Sequence, residues 1–142
     1  MPVRQANAQW NGNLKEGSGT FKLGSGGMGG NYSFGTRFEE QPGTNPEELI
    51  AAAHASCFSM ALSAGLGKNG FEPKSVATIA KVTLEKVDQG FKITRIHLST
   101  EADVPNIDEK TFREHAENAK KGCPVSQALA ATNIELDAKL KQ

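Results

Sequence analysis

The chain has 142 residues, a length typical of one domain with its own hydrophobic core. Its 16 Lys and Arg residues balance 16 Asp and Glu residues, and no segment concentrates positive charge, which argues against a nucleic-acid-binding protein. The first residues lack the apolar core and cleavage site of a signal peptide. We therefore expect a single domain over residues 1–142 in the reducing cytoplasm, where disulfides are usually transient and catalytic.

Residues 8–38 predict short antiparallel strands. Gly, Asn and Ser residues separate the large apolar residues of this region, as turn residues do between strands. Residues 24–30 are rich in glycine but lack the Gly-Lys-Ser/Thr ending of a phosphate-binding loop, so we expect a hairpin loop there. The large apolar residues of the region are Trp10, Leu14, Phe21, Leu23, Tyr32, Phe34 and Phe38.

A long helix is predicted from residue 46 to between residues 65 and 70. Asn45 is a good N-cap, Pro46 suits the first helical position, and Glu48 lies three residues after the cap. These three residues together form a pattern that resembles a capping box. The start of this helix is therefore the best defined boundary in the sequence.

The body of this helix, residues 49–67, carries no charged side chain. The run is long enough to be considered as a membrane span, but it consists largely of Ala, Ser and Gly with few large apolar side chains, so we expect no membrane partner. A helix without a polar face is instead buried, and few other elements of this chain are available to cover it. A second copy of the chain could do so, and we therefore expect a homodimer.

A β-hairpin is predicted after the helix. Apolar residues between positions 76 and 84 share one face of its first strand, and residues 88–90 form the turn. In the second strand the apolar residues move from odd positions, such as Phe91, to even positions, such as Ile96. Because a shift of one residue reverses the faces of a strand, we expect a bulge near residues 94 and 95.

Two helices and a strand complete the predicted order. Asp108 is expected to cap a helix that runs to about residue 121, and Cys123 lies at the cap position of a short helix that starts at Pro124. Residues 134–140 alternate as a final strand. Three strands, a helix, two strands, two helices and a strand indicate an α+β fold rather than a parallel α/β sheet.

The two cysteines, Cys57 and Cys123, are too far apart in sequence for a CxxC centre, and neither they nor the three histidines show the spacing of a metal site. They could act as a pair that the fold brings together. Cys123, at a helix start, is locally the better candidate for a thiolate, so the residues alone leave open which thiol attacks a substrate. His54, one turn before Cys57, leaves a Cys–His hydrolase as an alternative, although a hydrogen-bonded structural histidine is the simpler interpretation.

Two long motifs and a shorter one resemble the OsmC/Ohr family of bacterial hydroperoxide peroxidases, and the similarity extends over essentially the whole chain. The short motif precedes the long helix and points to the OsmC branch. The resemblance implies an OsmC-like α+β fold, an intertwined homodimer and two active sites at the subunit interface. The motifs are residues 43–58 (GTNPEELIAAAHASCF), residues 119–126 (AKKGCPVS) and residues 34–38 (FGTRF).

The resemblance also implies a role for four residues. Cys57 attacks the peroxide, Cys123 resolves the product as a Cys57–Cys123 disulfide, Arg37 is the cation that supports the thiolate, and Glu47 is the carboxylate partner of Arg37. The implied substrates are organic hydroperoxides and, more weakly, hydrogen peroxide, in defence against oxidative or osmotic stress. A small dithiol or a lipoylated protein is the implied reductant, with no cofactor and no metal.

Glu47 has a simpler alternative role, because any carboxylate in the first turn of a helix interacts favourably with the helix dipole. It precedes Cys57 by ten residues, about 15 Å along a straight helix, so it acts on that thiol through Arg37 or on the thiol of a partner subunit. Apolar residues near Cys57 (Phe58, Met60 and Leu62), with the aromatic residues of the first strands, are expected to form a wall that favours bulky peroxides. The alternative function is a small-ligand-binding stress protein without catalysis.

Overall fold

The computed structural model describes residues 1–141, which form two compact units with a boundary between Leu49 and Ile50. Six strands and four helices follow one another in the order β-β-β-α-α-β-β-α-α-β. This order confirms the predicted α+β class. It contains one helix more than the sequence predicts, in the first unit.

The first unit is built on a three-stranded antiparallel sheet. Its strands are β1 (Ala6–Asn11), β2 (Ser18–Leu23) and β3 (Gly29–Tyr32), in the order β1-β2-β3. The glycine-rich segment connects β2 to β3 as a hairpin loop, and Gly26 in this loop has a φ of +78°, a conformation that glycine adopts without strain. The predicted hairpin is therefore confirmed.

A short helix, α1 (Phe34–Phe38), follows the sheet, and the prediction of strand structure up to Phe38 was wrong. Ser33 is the reason. Its side chain accepts a hydrogen bond from the Thr36 N–H at 3.2 Å, and the Thr36 hydroxyl accepts one from the Ser33 N–H at 2.9 Å. This reciprocal capping box starts a helix, and it places Phe34 and Phe38 one helical turn apart.

The long helix, α2 (Pro46–Lys68), begins and ends where the sequence predicts. The Asn45 side chain accepts a hydrogen bond of 2.8 Å from the Glu48 N–H, which confirms Asn45 as the N-cap. Its amide nitrogen also donates to the Thr36 carbonyl oxygen at 2.8 Å, so the same residue links the start of α2 to α1. Gly70, with a φ of +85°, follows the end of the helix.

Only one face of α2 is buried in the single chain. His54, Phe58, Leu62 and Leu66 recur every four residues and are fully buried, whereas Met60 on another face is 76% exposed. Within residues 1–141, α2 is the one helix long and apolar enough to cross a membrane, with a mean hydropathy of 1.5 and 22% of its apolar window buried; the core helix of a soluble protein meets the same criteria. The predicted burial of α2 is thus confirmed for one face.

The second unit contains a three-stranded mixed sheet of β4 (Ser75–Val87), β5 (Gly90–Asp103) and β6 (Asn133–Leu140). Strand β5 is central, antiparallel to β4 and parallel to β6. Thr83 pairs with Arg95 and Leu84 with Ile93, so Thr94 is left over as a bulge. The predicted bulge is confirmed, and beyond it the even-numbered residues of β5 face the core.

Two helices pack with this sheet. Helix α3 (Glu109–Gly122) is capped by Asp108, whose carboxylate accepts from the Thr111 N–H at 3.0 Å, and α4 (Pro124–Ala128) follows at once with Cys123 at its cap position. Both starts agree with the sequence prediction. The core combines the buried face of α2 with residues of β5, α3 and β6 and with Val104, which follows β5. Its members are Phe58, Leu62, Leu66, Ile96, Leu98, Ala102, Val104, Phe112, Ala116, Ala119 and Leu140.

Candidate functional site

The four residues singled out by the sequence form two pairs, and each pair lies within one unit. Cys57 and Cys123 meet in the second unit, between α2 and the corner that joins α3 to α4. Arg37 and Glu47 meet in the first unit, where Arg37 is in the last turn of α1 and Glu47 is in the first turn of α2. The fold thus brings together two cysteines that are 66 positions apart in sequence and a charged pair that is ten positions apart.

The two cysteine sulfurs are 2.7 Å apart and both residues are free thiols. A disulfide bond is about 2.05 Å long, so only a small approach of the sulfurs separates this arrangement from a covalent bond. Cys123 is fully buried, whereas Cys57 is partly exposed. A reagent from solution therefore reaches Cys57 first, and Cys123 is in place to react with whatever forms there.

The groups around Cys57 shift the pKa of its thiol in opposite directions. Burial raises the pKa of the Cys57 thiol, the neighbouring Cys123 raises it further, and a hydrogen bond from the backbone N–H of Val125 lowers it. The start of α4, expected to assist Cys123, thus presents an N–H group to Cys57 instead. Cys123 occupies the cap position, but its side chain makes no capping hydrogen bond.

Val125 is a site residue that the sequence does not reveal. It contributes its backbone N–H, a group that every residue except proline carries, so no side-chain type marks the position. The one available signal is its place two residues after the cap, where a helix has an N–H without an intrahelical partner. Which sulfur that N–H faces depends on how α4 lies beside α2.

His54 bonds to Ser126 and not to Cys57. Its Nε2 is 2.7 Å from the Ser126 Oγ, both residues are buried, and its Nδ1 has no hydrogen-bond partner in the described part of the chain. The Cys–His pair of the hydrolase alternative is therefore not formed.

Among residues 1–141, no group of three or more His, Cys, Asp or Glu side chains is arranged to hold a metal ion.

Burial also lowers the pKa of His54 below its ordinary value of 6.5. A base with a lowered pKa in the folded state binds protons more readily when unfolded, so its stability contribution is complete above pH 6.5 and is lost as the pH falls below that value. We expect urea unfolding to show a free energy of unfolding that decreases between about pH 7 and pH 5. His54→Gln should show a weaker decrease, and an equal decrease in both proteins would contradict this assignment.

Arg37 and Glu47 form a partly buried ion pair. The Arg37 Nε is 2.8 Å from Oε1 and 3.2 Å from Oε2 of Glu47, whose side chain is 9% exposed. A carboxylate so well buried needs a charged or hydrogen-bonding partner, and Arg37 supplies both. Because these bonds use only Nε, the geometry leaves the terminal guanidinium nitrogens available to another anion.

A largely apolar cavity of about 220 Å³ lies beside Arg37 within the first unit. Two aromatic pairs contribute to its wall, with ring centroids 5.5 Å apart for Trp10 and Tyr32 and 5.1 Å apart for Phe34 and Phe38. Its lining residues are Trp10, Leu14, Tyr32, Ser33, Phe34, Arg37 and Phe38. The aromatic residues of the N-terminal region thus surround a cavity that carries one guanidinium group.

The wall expected from residues near Cys57 is not formed. Phe58 and Leu62 are fully buried in the core of the second unit, and Met60 is 76% exposed. The helical repeat explains this outcome, because Phe58 and Leu62 lie one turn apart on the inner face while Met60 is on another face. Apolar character along a helix was therefore a poor guide to a substrate wall.

Comparison with known proteins identifies the family. Residues 38–139 match the family model described as OsmC-like protein. The chain is 54% identical to Peroxiredoxin OsmC of Escherichia coli (strain K12) over 97% of its own length and 96% of that protein. It is 31% identical to Organic hydroperoxide resistance protein OhrB of Bacillus subtilis (strain 168), with coverage of 72% and 74%.

The fold is likewise shared with solved structures. An OsmC-like protein of unknown function from Vibrio cholerae superimposes with a TM-score of 0.77 over 97% of this chain and 99% of that one, at 17% identity. At that identity the likeness concerns the fold alone, and it agrees with the predicted architecture. The sequence match and the shared fold together confirm the resemblance, and the chain belongs to the OsmC-like protein family.

Proposed function

We propose that this protein is a thiol-dependent peroxidase that reduces organic hydroperoxides to alcohols in defence against oxidative or osmotic stress. The observation that carries the proposal is the pair of free thiols 2.7 Å apart, one partly exposed and one buried. Its closely similar relative from Escherichia coli is named a peroxiredoxin, and the relative from Bacillus subtilis is named an organic hydroperoxide resistance protein.

The first step takes place at Cys57, the thiol that solvent reaches. Its thiolate attacks the terminal oxygen of the hydroperoxide and forms an S–O bond while the O–O bond breaks. The sulfur is oxidised to a sulfenic acid, the peroxide is reduced, and the leaving alkoxide takes a proton to become the alcohol. The Val125 N–H beside the Cys57 sulfur favours the thiolate needed for this attack.

The second step uses Cys123. Its sulfur attacks the sulfenic sulfur of Cys57, an S–S bond forms, and the S–O bond breaks with loss of water. The short distance between the sulfurs favours this closure over a second oxidation. An external dithiol, either a small molecule or a lipoyl group on a partner protein, then reduces the disulfide by thiol–disulfide exchange and is itself oxidised.

Arg37 and Glu47 are proposed to supply the positive charge that the Cys57 site needs. Burial raises the pKa of Cys57, and the lowering effect of one backbone N–H is too small to offset it. An arginine remains charged at every relevant pH, and its Nε bonds to Glu47 fix the direction of its terminal nitrogens. These nitrogens would hold the thiolate and the developing charge on the leaving oxygen.

The substrate class follows from the cavity beside Arg37. Its aromatic lining suits an apolar organic group, and a hydrogen peroxide molecule would gain nothing from it. We further propose that residues 1–142 act as one functional domain, because the family match takes residues from both units. A cytoplasmic location suits the mechanism, because the reducing cytoplasm keeps a catalytic disulfide transient.

Consumption of cumene hydroperoxide in the presence of a dithiol reductant tests the proposed function. A peroxidase consumes the peroxide over many turnovers and forms cumyl alcohol. A stress protein that only binds small ligands would leave the peroxide concentration unchanged. Hydrogen peroxide is the comparison substrate, and we expect it to be consumed more slowly.

We also propose that the protein is a homodimer whose second copy covers the exposed face of α2. Between Ala52 and Gly67 the exposed residues of this helix are all uncharged, and Met60 is its largest exposed side chain. A face of this kind gains stability when it is removed from water. The fold then depends on association, and a stable folded monomer is not expected.

Light scattering checks this assembly. We expect the wild-type protein to have twice the mass of the chain at micromolar concentration. Met60→Lys should weaken the dimer, because it places a charge on the covered face. Val87→Lys, at the tip of the β4–β5 hairpin, is the matched control, since Val87 is also an exposed apolar residue and should tolerate the charge. A folded wild-type monomer would rule out the proposed assembly.

A further inference from the structure

The buried hydrogen bond between His54 and Ser126 takes no part in the peroxidase steps. Both residues belong to the second unit, and the 2.7 Å bond joins α2 to α4. His54 is fully buried and Ser126 is 3% exposed, so neither side chain can meet a substrate. A role for this pair has to be exerted through its neighbours.

We infer that His54 and Ser126 are positioning residues. Their hydrogen bond holds the Cys123–Ser126 segment against α2, so that the Val125 N–H and the Cys123 thiol both remain next to the Cys57 sulfur. This inference rests on the proposed function. His54 then helps to arrange the site without touching the reacting atoms. Val125, by contrast, presents its backbone N–H to the reacting sulfur, where it lowers the Cys57 pKa.

The positions of the residues support this role. His54 is three residues before Cys57, a separation that places the two on adjacent parts of the same helix surface. Ser126 is one residue after Val125 and three after Cys123. The hydrogen bond therefore joins the same turn of α2 to the same short segment that carries the resolving thiol and the N–H donor.

The segment that carries Cys123 is short and has modest support of its own. Helix α4 has five residues, and the Cys123 side chain makes no capping hydrogen bond. The Gln127 side chain, which donates to the Gly122 carbonyl oxygen at 2.7 Å, stabilises the corner internally but does not reach α2. The Ser126 hydroxyl does, and it thereby fixes where the corner lies relative to Cys57.

The polar nature of the pair supports a directional role. The His54 Nδ1 is buried without a partner in residues 1–141, an unfavourable arrangement that an apolar residue would avoid. Replacing both members of a buried hydrogen bond by apolar groups of similar shape is often neutral for stability. Stability alone is therefore a weak reason for this pair, whereas a hydrogen bond fixes distance and direction as an apolar contact does not.

Two measurements test the inference, one on reduced protein and one during its oxidation. The first is the rate of Cys57 alkylation by iodoacetamide as a function of pH, with the modified cysteine located by mass spectrometry, which reports the Cys57 pKa without any peroxide. The second is the fraction of Cys57 that reaches sulfinic acid, rather than the disulfide, when cumene hydroperoxide is added. Unfolding would also expose Cys57 and speed its alkylation, so each variant is measured at a temperature below the onset of its own thermal unfolding.

The informative variants are Ser126→Ala and the double variant His54→Leu/Ser126→Ala, which replaces the whole pair by apolar groups and so protects the fold if the single variant unfolds. Ser126→Thr keeps the hydroxyl and should restore wild-type behaviour. Thr100→Val is the matched control, because Thr100 is 2% exposed and its hydroxyl is hydrogen-bonded to Thr78 and to the Ala77 carbonyl oxygen of β4, without a bond to either cysteine or to α4.

We expect both informative variants to lower the Cys57 pKa, because the burial and the Cys123 contact that raise this pKa are lost together with the smaller effect of the Val125 N–H, and alkylation near neutral pH should become faster by up to about tenfold. We also expect more sulfinic acid, because a displaced Cys123 closes the disulfide more slowly. The inference would be overturned if both variants kept the wild-type rates of Cys57 alkylation and disulfide closure. It would also be overturned if Thr100→Val changed these rates equally. If the protein consumes no peroxide, the proposed function fails while the alkylation profiles still decide the positioning role.

Discussion

Replacing Cys57 with serine is expected to abolish peroxide turnover, with a loss of at least about a thousandfold in kcat/KM for cumene hydroperoxide. A serine hydroxyl stays protonated near neutral pH and is a poor nucleophile towards an O–O bond, so no step replaces the thiolate attack. Cys57 is the thiol that solvent reaches, and it accepts the Val125 N–H. Multi-turnover activity in Cys57→Ser would refute its assignment as the attacking residue.

Cys123→Ser is the informative partner variant, because it leaves the attacking thiol in place. We expect Cys57 to be oxidised once to a sulfenic acid, which a dimedone probe captures, and then to stall or advance to sulfinic acid. The wild-type protein should instead show a disulfide and little dimedone adduct. Equal peroxide turnover by Cys123→Ser and the wild type, with the dithiol reductant present, would show that the 2.7 Å sulfur pair is not the resolving pair.

The parts of the fold that the sequence predicts correctly are those with a local chemical cause. Asn45 and Asp108 both accept a hydrogen bond from the N–H three residues later, so cap chemistry located two helix starts. The change of parity between Phe91 and Ile96 located the Thr94 bulge, because the core needs apolar residues on one face. Each of these signals lies within a few residues of the feature that it predicts.

Helix α1 shows why a local pattern can mislead. Phe34 and Phe38 are four residues apart, a spacing that agrees with a helical repeat of 3.6 and with a strand repeat of two. The deciding contact is the reciprocal bond between Ser33 and Thr36, a capping box with Thr in place of the usual Glu or Gln. Five residues are too few for periodicity to separate the two possibilities.

The candidate site was predictable as far as side-chain identity allows. The four motif residues form two pairs, Cys57 with Cys123 and Arg37 with Glu47, and their roles in catalysis stay predictions. The sequence did not predict a role for the Val125 N–H or the Ser126 hydroxyl, although both residues lie in the motif at residues 119–126. Their relation to α2 depends on packing at the α3–α4 corner, a long-range property that neighbouring residues in the sequence do not specify.

The Arg37–Glu47 pair carries the second prediction with a large expected effect. Arg37→Ala should lower kcat/KM by about a hundredfold or more, because the positive charge that favours the Cys57 thiolate and the leaving oxygen is lost. The Cys57 pKa should rise in the same variant. Glu47→Ala keeps the charge but releases the guanidinium group, so we expect a smaller loss, about tenfold.

Matched substitutions separate charge from placement. Arg37→Lys keeps a positive charge but loses the planar fork that Glu47 orients through Nε, and it should resemble Glu47→Ala more than Arg37→Ala. Glu47→Gln keeps the size and one oxygen acceptor. Because Arg37→Ala leaves the buried Glu47 carboxylate without its partner, thermal unfolding has to accompany the kinetics, so that lost structure is not mistaken for lost catalysis.

The double variant Arg37→Ala/Glu47→Ala decides whether the two residues work as a unit. If Glu47 acts only by orienting Arg37, removing it after the arginine is gone costs nothing more, and the double variant should match Arg37→Ala in kcat/KM. It should also be at least as stable as Arg37→Ala, because no unpaired carboxylate remains in a buried position. Losses that simply add would mean that Glu47 contributes independently, as a carboxylate in the first turn of α2, and that Arg37 needs no partner to reach the thiolate.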